Sequence, residues 1–161
     1  MSAAAPDAAP APLTLVVRRT VHASAARLFE AWTDPDQIRQ WWGPPDVACI
    51  GAEIDLKVGG RYRIGNVFAD GSVLWIGGAF ERIERPRLLV YTWSIEPAGT
   101  DPERVTIRFD EKGGTTDIRV IHERIADPTV RASHEAGWTG CLDGLAAYLA
   151  DTPKSRQILP K

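Results

Sequence analysis

The sequence predicts an α+β fold: a curved antiparallel sheet of six to seven strands wrapped around a long C-terminal helix, with two short helices after the first strand. Three observations carry this. The order of periodic segments is one strand, two helical stretches, a run of strands and a last long helical stretch, so strands and helices are segregated along the chain. Three successive strands, around Leu89–Trp93, Val105–Phe109 and Thr116–His122, each alternate between an apolar and a mostly polar face, as in a meander with one buried side. The stretch from Asp127 to Asp151 then offers one buried helical face. Asp127 and Pro128 suit a helix start, and no proline follows until Pro153, which leaves room for a helix of roughly 23 residues, about 34 Å long.

Leu13 to Val21 mixes β-branched residues with Arg18 and Arg19 and reads as the first strand. Ser24 caps a short helix carrying Leu28, Phe29 and Trp32 on one side. Asp34-Pro35 starts a second, which Gly43-Pro44-Pro45 stops just after the pair Trp41-Trp42. Ile50, Ile54 and Leu56 alternate with Glu53 and Asp55, and Arg61 to Val67 follows as another strand. Asp70-Gly71 marks a hairpin. Ser72 to Ile83 is long for a strand, and Gly77-Gly78 predicts a bulge or bend in its middle, which leaves its faces unassigned. In the last helix, Val130, His134, Gly137, Trp138, Cys141, Leu142, Leu145, Tyr148 and Leu149 share one arc. Gly137, Gly140 and Gly144 form a stripe beside it, which calls for either close backbone packing or room for a ligand.

At 161 residues without repeats, one domain is expected over 13–151, with an Ala/Pro-rich tail at 1–12 and a second tail at 152–161. A net charge of -2 without a basic run argues against nucleic acid as partner. Two cysteines, Cys49 and Cys141, make no disulfide framework and fit a reduced, cytoplasmic setting. No signal peptide and no membrane span are expected.

The motifs resemble a known family. Ala31-Trp32-Thr33-Asp34-Pro35, Trp41-Trp42-Gly43-Pro44, Asp55 to Arg63, Leu88 to Trp93, and His134-Glu135-Ala136-Gly137-Trp138 through Leu149 are similar, in order, to the activator of heat shock protein 90 ATPase homologue-like family. That resemblance covers residues 14–150 and implies the helix-grip (Bet v-type, START-like, SRPBCC) superfamily, whose shared device is a hydrophobic cavity between sheet and helix. It implies binding or carrying of a small hydrophobic or lipidic molecule, with a stress-related setting. Cyclase relatives make a cyclase- or dehydratase-like enzyme using a pocket histidine the alternative. A chaperone-linked interaction module is the third reading, although the chain has no room for the separate chaperone-binding domain of the eukaryotic cochaperone. Monomer and homodimer both stay open.

The expected ligand-binding residues are Trp42, Trp75, Tyr91, Trp93, Ile107, His122, His134, Trp138 and Cys141. His122 and His134 fall on buried faces, either as polar anchors or proton carriers of a cavity or as histidines satisfied within the core. The aromatics line a site for a flat ligand or fill a core. A metal needs a third ligand, none of which is visible beside the histidines, so neither metal nor cofactor is expected. Cys141 reads as a small core residue, and Glu53 with Asp55 as a solvated edge.

Overall fold

A computed structural model describes residues 11–44, 46–96 and 101–158, and side chains up to residue 150. The described residues form seven strands and three helices, in the order β1 (Leu13–Val21), α1 (Ala25–Thr33), α2 (Pro35–Trp41), β2 (Val47–Ile54), β3 (Arg61–Phe68), β4 (Val73–Glu84), β5 (Leu88–Ile95), β6 (Glu103–Lys112), β7 (Thr115–Ile125) and α3 (Pro128–Ile158). The strands form one antiparallel sheet in the order β1-β7-β6-β5-β4-β3-β2, so only β1 leaves its sequence neighbour, to pair with β7. The architecture is the one the sequence predicts, a curled sheet against a long terminal helix.

Local chemistry sets the helix starts. The Ser24 hydroxyl accepts from the Arg27 N–H, and the Asp34 carboxylate from the Asp36 N–H ahead of Pro35. The Asp127 carboxylate accepts from both Thr129 and Val130 N–H groups. At the far end α3 runs on to Ile158, past Pro153, so most of the stretch assigned as a tail at 152–161 is helical backbone. Proline removes one helical hydrogen bond but keeps a helical φ, so it weakens a helix without always ending it. Residues 1–10 of the predicted N-terminal tail lie outside the described residues.

The core lies between the concave sheet face and the helices. Leu89, Val105, Ile107, Ile118, Val120 and Leu145 are fully buried there. In β4 the register shift lies between Phe80 and Arg82 rather than at the glycine pair. Gly77 and Gly78 instead permit close packing: a Cβ on Gly78 would stand 2.1 Å from the Thr92 carbonyl oxygen, and one on Gly77 2.8 Å from that of Tyr62.

The glycine stripe of α3 divides between its two explanations. A Cβ on Gly140 would stand 2.5 Å from Pro44, and one on Gly144 2.6 Å from the Trp41 carbonyl oxygen, so these two glycines let the Trp41–Pro44 segment pass close to the helix. A Cβ on Gly137 would meet nothing within 4 Å. Gly144→Ala should therefore destabilise the protein by about 1–3 kcal/mol through overpacking. Gly137→Ala should leave stability unchanged or raise it by up to about 1 kcal/mol through helix propensity. Urea unfolding of the two variants checks this, and equal losses at both positions would contradict it.

Candidate functional site

Five of the six tryptophans meet beneath α3. Trp138 stands at the centre, with ring centroids 6.1 Å from Trp32, 5.6 Å from Trp42 and 5.5 Å from Trp93. Their polar atoms are placed with care. The Trp41 N–H donates to the Ala31 carbonyl at 2.9 Å, and the Trp42 N–H to the Asn66 side-chain oxygen at 2.8 Å. Asn66 in turn donates to the Ile64 and Leu74 carbonyls, which commits both ends of its amide. Trp41 and Trp42 are both buried.

The Trp138 N–H donates to Nδ1 of His122 at 2.9 Å. Nε2 of His122 lies 2.7 Å from Oε1 of Glu103, and Nε2 of His134 lies 2.9 Å from the same oxygen. The two imidazoles stack with centroids 4.2 Å apart, and Trp93 closes over both. An indole N–H only donates, so Nδ1 of His122 must offer its lone pair, and the proton of the neutral ring sits on Nε2, facing Glu103. One carboxylate oxygen thus receives two imidazole N–H groups.

The electrostatics agree. Burial would raise the Glu103 carboxyl, but hydrogen bonds from His122 and His134 outweigh it and hold the group at about 2 rather than 4.5. Burial, helped by neighbouring His134, keeps His122 below the usual histidine value despite Glu103. The Cys141 thiol accepts from the Gly43 N–H at 3.3 Å and is pushed up to about 12 by burial, which leaves it a protonated core residue rather than a nucleophile.

Beside this cluster lies a cavity of about 380 Å³ between α3 and strands β2 to β5. Trp42, Trp93, His134, Trp138 and Cys141 line it, with Gly137 on the helix side and Leu74 and Ile76 on the sheet. Partly exposed Phe68 and Ile95 form an apolar rim. Of the expected residues, His122 sits behind the wall, in contact with His134. Tyr91 and Ile107 are buried deeper, Tyr91 against Tyr62 and Phe80 with its hydroxyl receiving the Trp32 N–H. Trp75 lies apart from the cavity. It covers Gly65 and Gly51 and stacks under the Arg63 guanidinium at 4.2 Å, on the strand face opposite Ile76. Alternation along β4 gives Leu74 and Ile76 to the cavity and turns Trp75 away.

Sequence reasoning missed Glu103. Its signal was its parity: it precedes Val105, Ile107 and Phe109 at steps of two, on the inward face of β6. Glu103 also supplies a third possible ligand that is not visible beside the histidines in the sequence, because one ligating atom from each of Glu103, His122 and His134 lies within 4.8 Å of the others. The donor set is nonetheless arranged for hydrogen bonds. To ligate through Nε2, His122 would have to carry its proton on Nδ1, head-on to the Trp138 N–H, whereas metal-bound histidines donate from their other nitrogen. The residues present do not fit a metal in this arrangement.

The family described as Activator of Hsp90 ATPase homolog 1-like protein matches residues 22–150. The chain belongs to that family, within a superfamily whose members generally bind hydrophobic ligands. A crystal structure of a protein from Chromobacterium violaceum is 26% identical, with a TM-score of 0.76 over 83% of this chain and 94% of that one. The AHSA1 protein from Silicibacter pomeroyi is 23% identical, with a TM-score of 0.76 over 86% and 98%. The AHSA1-like protein from Aeromonas hydrophila is 24% identical, with a TM-score of 0.73 over 88% and 94%. No curated protein matches the chain.

Glu103 gives the site a pH signature. Its folded value lies below its unfolded one, so its contribution to stability is complete above about 4.5 and is lost as pH falls towards about 2. His122 acts in the same direction, because the folded protein protonates it less readily than the unfolded chain does. Glu103→Gln should cost about 1–3 kcal/mol at neutral pH, with the gap to the parent protein narrowing as pH falls from about 5 to 3. Thermal melts across that range check it, and a gap that stays constant would contradict the assignment.

Proposed function

We propose that this protein binds a small, flat, largely apolar molecule in the cavity between α3 and strands β2 to β5. The observation that carries the reading is the wall itself: three tryptophans, Trp42, Trp93 and Trp138, surround about 380 Å³ of space, with His134 as a polar anchor. That volume falls in the usual range for small-molecule sites, and aromatic walls with few polar groups are their usual composition. Gly137 supports it further, since a helix that needed only to pack would have no reason to leave open space at that position.

Carrier function for an aromatic or lipidic molecule follows from such a pocket. Two free cysteines accord with a cytoplasmic setting, and among the described residues no helix is long and apolar enough to cross a membrane. Chaperone contact rests on the family name, and the cavity offers a more specific explanation for the aromatic wall.

Ligand entry should quench the wall tryptophans and raise the melting temperature, with about 2.7 kcal/mol of stabilisation at a hundredfold excess over Kd. Gly137→Leu puts a side chain into the open space and should abolish both effects while the protein stays folded. A screen of flat aromatics and fatty acids by thermal shift and tryptophan fluorescence tests this. No protection by any of them, or undiminished binding in Gly137→Leu, would refute the reading.

A further inference from the structure

The hydrogen bonds behind the cavity wall dictate what kind of ligand its polar end accepts. We propose that Glu103 and His134 form a carboxylate–imidazole pair whose remaining nitrogen, Nδ1 of His134, takes the proton of an acidic hydroxyl, so that the cavity selects flat apolar molecules bearing a phenol or enol. This rests on the binding function proposed above and names its ligand class.

Most polar groups of the wall are already committed. The Asn66 amide is occupied by Trp42, Ile64 and Leu74, and the Cys141 thiol is held protonated against Gly43. His134 differs. Its Nε2 donates to Glu103, which as a carboxylate only accepts, so the neutral ring carries a bare lone pair on Nδ1. Nδ1 has no partner among the described residues, while every buried side-chain nitrogen or oxygen among them has one. Nδ1 therefore reaches open space, and His134 lines the cavity. A lone pair at the end of an apolar pocket is matched by an O–H donor, whereas a ligand without one leaves it unsatisfied.

His122 cannot take this part, because both its nitrogens are engaged, with Trp138 and Glu103. In the transfer the ligand O–H bond breaks and an N–H bond forms at Nδ1, leaving an oxyanion beside an imidazolium. The Glu103 carboxylate on β6 offsets that imidazolium through Nε2–H. From β7 the ring stacks on the imidazole of His122, and from β5 it packs against the uncharged Trp93. Glu103 is thus a positioning residue, orienting His134 as the carboxylate of a hydrolase triad orients its histidine.

The test compares para-nitrophenol with its methyl ether, para-nitroanisole, below the pH at which free nitrophenol ionises. Tryptophan quenching reads binding, and the yellow phenolate band reads proton transfer. The protein should prefer the phenol by about tenfold, one net hydrogen bond, and show the phenolate band on binding. His134→Phe should bind both probes equally and show no band. Glu103→Gln should keep nitroanisole binding, which reports an intact cavity, yet lose most of the band. Equal binding of both probes by the parent protein, without the band, would overturn the pair and leave the cavity reading standing. Binding of neither probe would overturn both. A preference surviving in His134→Phe, or a band abolished by a chelator, would also overturn the assignment.

Discussion

The indole N–H of Trp138 donates and cannot accept, and that single fact orders the polar interior. It obliges Nδ1 of His122 to present its lone pair, which places the ring proton on Nε2, opposite Glu103. Glu103 then receives a second N–H from His134 on the same oxygen. Donation thus converges on Glu103 of β6 along two lines, one from Trp138 on α3 through His122 on β7 and one directly from His134 on α3. It ties the long helix to two neighbouring strands where the wall is otherwise aromatic. A network whose buried atoms are all satisfied is far less costly in a core than one with a buried orphan. No buried side-chain polar atom among the described residues lacks a partner.

Around that network the helix performs two jobs along its length. Near Gly140 and Gly144 it lets the Trp41–Pro44 segment pack closely against its backbone. One turn earlier, at Gly137, it stands off from the sheet and leaves the cavity open. The tryptophans accommodate both, since their rings are large enough to wall a space while N–H groups fasten Trp41 to Ala31 beside the close contact, and Trp42 and Trp138 of the cavity wall to Asn66 and His122. The cavity is thus bounded by side chains that are fixed before any ligand arrives, which lowers the ordering cost of binding.

Much of this was legible in the sequence, and the gaps have physical causes. Helical periodicity alone brought His134, Trp138 and Cys141 to one arc, and the structure lines the cavity with all three. Alternation along the meander put His122 inside, where it is fully buried. Alternation also put Tyr91 and Ile107 inside, but parity says which face a residue takes and not how far along the sheet the cavity extends. Trp75 went astray because the faces of β4 were unassigned around Gly77-Gly78, and its ring covers Gly65 on the opposite side. Glu103 escaped because a carboxylate at a strand start, just after a turn rich in Pro, Gly and Asp, looks like a solvated group. Only tertiary contact brings it between two histidines that are 12 residues apart in the sequence and lie on different elements.

The most direct measurement is the protonation pattern of the His122 ring, read from nitrogen chemical shifts and long-range nitrogen–proton couplings by NMR at neutral pH. A proton on Nε2, with Nδ1 bare and hydrogen-bonded to the Trp138 indole, is the predicted result. A proton on Nδ1, or on both nitrogens, would contradict the account at its foundation.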